Sequence, residues 1–169
     1  RGGIHPIFRE LAPILNLVGF EPDAEECRRL QEAPRMLAFR SFSYVPCALG
    51  ARDTQQPLHL ARSRGTSSFY QADRRLLDRF PDPERFEALA TVPVPVRSLD
   101  SLMADPSVMM PRAVDLLKLD TQGSELDILR GARETLGRQL VAVEVEVEFA
   151  RLYEGQPLFR DVDAFLDEA

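Results

Sequence analysis

The sequence predicts an α/β fold with a largely parallel sheet, and three observations carry that prediction. Short apolar runs alternate with amphipathic stretches along the chain. Three of these runs end in acids: residues 15–20 before Glu21, residues 115–119 before Asp120, and residues 140–149, which hold Glu146 and Glu148 near their end. Each acid then falls at the carboxyl end of a strand, the edge where open α/β sheets bind ligands. Crossovers between parallel strands are expected to be right-handed.

The elements follow in order. After Gly2 and Gly3, residues 6–13 read as helical, with Ile7, Leu11 and Ile14 at helical spacing. The run 15–20, closed by Glu21-Pro22-Asp23, reads as a buried strand. Asp23 is placed to cap a helix through about Gln31, with Glu25 and Glu26 favourable in its first turn. Residues 44–49 and 57–61 are two more apolar runs, the first ended by Gly50. Residues 62–95 are rich in Arg, Ser and Pro. They read as an irregular insertion with a small helix near 71–80, either a candidate substrate lid or a solvated surface excursion. Leu99-Asp100-Ser101-Leu102 starts a short helix. Residues 115–120 read as a strand and residues 124–136 as a helix, with Leu126, Leu129, Ala132 and Leu136 on one face and Gly137 to end it. Residues 140–149 form the most distinctive strand pattern. Val141, Val143, Val145 and Val147 share one face, and Ala142, Glu144, Glu146 and Glu148 the other. Residues 158–166 read as a closing helix. Both ends read as cut: Arg1-Gly2-Gly3 has no strand before it, and no returning strand follows Glu168-Ala169.

Size and composition narrow the class. With 169 residues and 44% hydrophobic content, one domain spanning residues 1–169 with a real core is expected. The formal charge of −6 is scattered in both signs, with no basic block, which argues against nucleic acid as a partner. No apolar run approaches the roughly 20 residues of a membrane helix, and no signal peptide or repeat is seen. Cys27 and Cys47 lack metal-ligand spacing and read as buried free thiols in a reducing cytoplasm.

The chemistry gathers at the strand ends. Gly2 and Gly3 sit where a backbone must approach a cofactor before a helix. Glu21 follows at about the 20-residue spacing that suits the two hydroxyls of a ribose, because a carboxylate accepts from both at once. Together they favour a cofactor containing adenosine. The only lysine in the sequence is Lys118, inside an apolar strand; it either supplies a compact ammonium to a site or snorkels from an edge. Glutamates on a parallel strand call for a wet face or a substrate cleft. His5 and His59 have no nucleophile partner in a recognisable motif, and His5, beside the glycine turn, is the better functional candidate. Asp120 with Glu146 or Glu148 has the chemistry for a divalent metal. No third ligand is evident, so no metal is expected.

The residues also resemble a known family. Leu117-Lys118-Leu119-Asp120-Thr121-Gln122-Gly123-Ser124-Glu125-Leu126, followed by Leu129-Arg130-Gly131-Ala132, closely resembles the FkbM-type methyltransferases. So does Val145-Glu146-Val147-Glu148-Phe149 with Leu152-Tyr153-Glu154-Gly155-Gln156-Pro157-Leu158-Phe159. Weaker matches keep the right order: Gly19-Phe20-Glu21-Pro22-Asp23, Ala48-Leu49-Gly50, Thr66-Ser67-Ser68 and Ser98-Leu99-Asp100-Ser101-Leu102. The resemblance implies a class I, Rossmann-like three-layer sandwich around a mostly parallel central sheet, truncated here at both ends. It implies methyl transfer from S-adenosylmethionine, typically to a hydroxyl of a sugar, polyketide or related small metabolite. On that resemblance Gly2 and Gly3 are the tail of the glycine-rich cofactor loop, Glu21 the ribose acid with Pro22 beside it, and Ala48 and Leu49 the wall near the adenine. Asp120 lies beside both methyl donor and acceptor.

A base that takes the acceptor's proton helps such a transfer. Asp120 is the first candidate and Glu146 the second. Lys118 either holds Asp120 ionised, binds an acceptor oxygen, or pairs with a nearby glutamate. His5, Gln122 and Glu148 are expected on the acceptor side, with further acceptor contacts in residues 62–95. Two other readings use the same features. One is a degenerate methyltransferase-like domain that only binds a partner. The other is a nucleotide-dependent oxidoreductase, which also uses the glycine turn and Glu21 but is disfavoured by the late motifs.

Overall fold

Residues 9–34, 37–138 and 140–169 are described by a computed structural model of the chain. Gly2, Gly3 and His5 lie outside the described residues. Of the helix expected over residues 6–13, the described part is a turn leading into one 3-10 turn at Ala12–Ile14.

The first unit is a β-α-β crossover built on local signals. Strand β1 (Asn16–Phe20) is followed by helix α1 (Ala24–Glu32), and β2 (Ser41–Val45) then pairs parallel to β1, from Asn16 beside Ser41 to Phe20 beside Val45. Asp23 caps α1 as expected: its carboxylate accepts from the Glu25 and Glu26 N–H groups at 2.9 and 3.1 Å.

The second unit is β3 (Ala48–Leu49), β4 (Thr54–Ala61) and β5 (Ala88–Arg97), with β5 central, parallel to β3 and antiparallel to β4. The expected irregular insertion therefore needs correcting, because its last part is a long strand. Pro93 and Pro95 hid that strand, since proline disfavours a sheet interior. β3 pairs only with Val96 and Arg97, so the proline-bearing stretch has β4 as its sole strand partner and behaves as an edge. The remainder of the insertion holds 3-10 turns at Arg64–Thr66 and Pro83–Phe86 and the short helix α2 (Arg74–Leu77), inside the range expected for one.

Helix α3 (Leu99–Ala104) follows, capped by Ser98. Then come strand β6 (Leu116–Leu119), helices α4 (Glu125–Arg130) and α5 (Arg133–Arg138), strand β7 (Ala142–Val145), parallel to β6, and the closing helix α6 (Phe159–Glu168). Two expectations change here. The strand expected over residues 140–149 keeps its ladder only to Val145, with one further bond of 2.8 Å from Glu146 N–H to the Leu119 carbonyl. Beyond it β6 offers no partner, because the chain turns away after Asp120. Val143, Val145 and Val147 pack on the core as patterned, whereas Val141 is 80% exposed.

The single helix expected over residues 124–136 is two helices, and Gly137 lies within the second. Gly131 explains the break. A side chain there would collide with the Gly50 carbonyl, and the Gly131 carbonyl accepts from Asp100 N–H at 3.0 Å. The Asp100 carboxylate then starts α5, accepting from Glu134 and Thr135 N–H at 2.9 Å each. Gly131→Ala must push backbone against backbone. We expect it to destabilise the fold by about 1–3 kcal/mol, read as a lower denaturant midpoint. An unchanged midpoint would refute this account of the break.

Among the described residues the strands form three small sheets, and a single mostly parallel central sheet is not seen. One core nevertheless unites them. Phe20, Val45 and Leu49 pack in the same apolar cluster as Leu119, Val145, Leu129 and Val162. Glu21, Asp120 and Glu146 each come directly after a member of that cluster, so the three acids rim one core at the strand ends. A smaller cluster of Leu77, Phe86 and Tyr153 lies beneath the insertion.

Candidate functional site

The site is built on the turn between β6 and α4. Gln122 and Gly123 both take left-handed backbone, with φ of 60° and 109°. Glycine meets that demand freely, and glutamine meets it only because neighbours hold it there. The holding group is Glu125, which is 6% exposed. Its carboxylate turns back over the loop, accepting from Thr121 N–H at 2.8 Å, the Thr121 hydroxyl at 3.1 Å and Gly123 N–H at 2.9 Å. An acid in the first turn also suits the positive end of α4.

From outside, two hydroxyls grip the same loop. Ser68 donates to the Gln122 carbonyl at 2.6 Å. Tyr153, 2% exposed, places its hydroxyl 3.1 Å from Gln122 Oε1 and 2.9 Å from the Thr66 carbonyl. Tyr70 reaches the adjoining helix, donating to Asp127 at 2.8 Å. The Tyr153 segment is folded by Gln156, whose Oε1 accepts from Leu152 and Tyr153 N–H at 3.0 and 3.2 Å.

Inside this frame Gln122 meets Glu146 and Asp120. Gln122 Nε2 donates to Glu146 Oε2 at 2.9 Å, and Glu146 shares a hydrogen bond with Asp120. Burial, the Asp120 charge and that bond, and then Glu125 and Glu148, push the Glu146 carboxyl up to about 7. Glu148 is raised as well, by burial and by Glu125. Glu146, beside Asp120, can carry a proton near neutral pH, the property a general base requires. Lys118 is placed differently. Its ammonium bonds Glu144 at 2.5 Å, its register partner across β6 and β7, so the charge goes to a cross-strand ion pair.

Of the residues assigned to a cofactor, Glu21 and Pro22 follow β1, Ala48 and Leu49 form β3, Asp120 follows β6, and Gly2 and Gly3 lie outside the described residues. Glu21 donates its N–H to the Val45 carbonyl at 3.1 Å and accepts Asp23 N–H on Oε1 at 3.1 Å. Pro22 is its next neighbour, and Ala48 and Leu49 are buried. His59 hydrogen-bonds through Nδ1 to the Thr91 hydroxyl at 3.0 Å and helps line a cavity of about 630 Å3. Thr66, Ser68, Tyr70, Phe86 and Tyr153 share that lining. Among the described residues no group of three or more His, Cys, Asp or Glu is arranged to hold a metal ion, and no helix is long and apolar enough to cross a membrane. Cys27 and Cys47 are buried free thiols, and burial pushes Cys47 up to about 11.

Glu125, Ser68, Tyr70 and Tyr153 were not singled out as site residues by sequence reasoning. Tyr153 and Ser68 stood inside motifs without a role. Glu125 had a usable signal: an acid at the first helical position, after a Thr-Gln-Gly turn and Ser124.

The chain is an α/β protein with acids rimming one core at the carboxyl ends of parallel strands, the edge where open α/β sheets bind ligands. The family model for the Methyltransferase FkbM domain matches residues 7–169. The chain belongs to the FkbM methyltransferase family. No curated protein and no solved structure matches it.

Proposed function

We propose that this chain is an S-adenosylmethionine-dependent methyltransferase that methylates a hydroxyl oxygen of a sugar, polyketide or related small metabolite. The observation that carries the reading is the Asp120–Glu146 pair, a proton acceptor poised near neutrality beside a loop fixed from both sides.

The residues present fit the cofactor. Glu21 keeps Oε2 without a hydrogen-bond partner among the described residues, at the end of a strand, suited to a ribose diol. Ala48 and Leu49 offer an apolar wall for an adenine, and Pro22 and Asp120 border the same edge. Gly2 and Gly3 extend this set toward the amino end. Bound there, S-adenosylmethionine supplies a methyl group on a sulfonium. The chain's own task is alignment and proton removal. The Asp120–Glu146 pair receives the hydroxyl proton, Gln122 fixes the Glu146 carboxyl, and Glu148 faces the acceptor; His5 is kept on the acceptor side from the sequence alone. Lys118 contributes at one remove, by pinning β6 to β7 through Glu144. The acceptor sits against the Asp120–Glu146 pair, and the cavity lined by Ser68, Tyr70 and Tyr153 adjoins that loop through the Tyr153 hydroxyl on Gln122. Buried free thiols accord with a reducing, cytoplasmic setting.

Calorimetric titration of the full-length protein with S-adenosylmethionine and, separately, with NAD tests the proposal. Heat with the former alone is the expected result. No heat with either ligand would leave only a partner-binding domain, and heat with NAD alone would turn the reading to an oxidoreductase.

A further inference from the structure

We propose that Tyr153, acting through Gln122, is a positioning residue that aims the Gln122 amide donor at Glu146 and so holds its carboxylate ready to receive a proton. The inference rests on Glu146 as the proton acceptor of the proposed transfer.

The Gln122 amide stands between two groups, with Oε1 3.1 Å from the Tyr153 hydroxyl and Nε2 2.9 Å from Glu146 Oε2. An amide NH2 only donates, and a carboxylate only accepts. In this arrangement the phenol donates to Gln122, and Gln122 donates to an ionised Glu146. The phenol has a single proton but two acceptors in range, the other being the Thr66 carbonyl at 2.9 Å. Once Glu146 is protonated, the Asp120 carboxylate is the acceptor for its O–H. The Gln122 amide keeps its orientation throughout, with Nε2 on Glu146 and Oε1 on the phenol. Every group is paired in both states, and one proton has moved, from the acceptor hydroxyl to Glu146.

The surroundings fix the amide in this orientation. Ser68 holds the Gln122 carbonyl at 2.6 Å, so the backbone stays put. Burial pushes the Tyr153 phenol up, which keeps its proton in place. The titratable groups facing Glu146 are the carboxylates of Asp120 after β6, Glu125 on α4 and Glu148 on its own segment, with the neutral Tyr153 phenol beyond Gln122. The nearby Lys118 charge is taken up by Glu144. All three carboxylates favour the protonated form of Glu146, so the Gln122 donor is the group that counters them.

The test is NMR titration of the cofactor-free protein, with glutamate side-chain carboxyls labelled with carbon-13 and glutamine amides with nitrogen-15. In the wild type the Gln122 NH2 signals should titrate with the Glu146 midpoint. Gln122→Leu should raise that midpoint by about one unit, and Tyr153→Phe by less. Tyr153→Phe should add nothing in the Gln122→Leu background, because its effect passes through the amide. Gln122 signals that ignore the Glu146 titration would overturn the proposal without any variant having to fold. So would a Tyr153→Phe shift that persists without Gln122. Since no cofactor is used, a failed S-adenosylmethionine titration leaves this result standing, and a flat Gln122 response leaves cofactor binding untouched.

Discussion

Asp120→Asn is expected to spare cofactor binding and to slow methyl transfer by about 10²–10⁴-fold, the range a positioned base contributes. Asparagine keeps the shape of the side chain and removes the charge. That charge and its hydrogen bond are, after burial, the main causes of the raised Glu146 carboxyl. The sign of the pH dependence follows. A carboxyl held up to about 7 keeps its proton below that pH and accepts one above it, so the wild-type rate should climb through about pH 7 and then level off. In Asp120→Asn the climb should move to lower pH as Glu146 becomes a weaker base. In Glu146→Gln it should vanish. Initial rates with a radiolabelled methyl donor, followed against pH, measure all three. Turnover unchanged in Asp120→Asn would remove Asp120 from the proton-accepting pair.

Glu21→Ala should weaken S-adenosylmethionine binding by at least about 100-fold, read by calorimetry. Two hydrogen bonds from ribose hydroxyls to one carboxylate contribute about 1.5–3 kcal/mol each, and every 1.4 kcal/mol is a factor of ten. The substitution should not disturb the fold beneath it. The α1 cap is made by Asp23, whose bonds to Glu25 and Glu26 need nothing from Glu21. Affinity within about threefold of wild type, in a variant of unchanged stability, would show that Glu21 does not hold the ribose.

Much of the architecture was legible because its causes are local. The run 15–20, the Asp23 cap and the acids at the strand ends are all decided within a few residues. So are the alternating valines and glutamates of residues 143–147. What escaped was decided at long range. Pro93 and Pro95 argue against a strand until the partner arrangement of β5 makes that stretch an edge. The helix break at Gly131 depends on Gly50 and Asp100, which no periodicity connects to it. The site divides the same way. Asp120, Glu146 and Glu148 announce themselves as acids on strand ends. Tyr153 and Ser68 gain their roles from partners 87 and 54 positions away in sequence. The ion pair of Lys118 with Glu144 required the β6–β7 register, which sequence alone left open among several partners.

The grip on the loop after Asp120 is unequal on its two sides, and this settles which side yields. Toward α4, one buried carboxylate gathers the Thr121 and Gly123 amides and a hydroxyl, so that side opens only if the helix start comes apart. Toward the insertion, single hydroxyls of Ser68 and Tyr153 hold it, and each can be exchanged for a bond to water or to a guest molecule. The insertion flank is therefore the side of the loop that opens at the lower cost, with the helix flank as the fixed jaw.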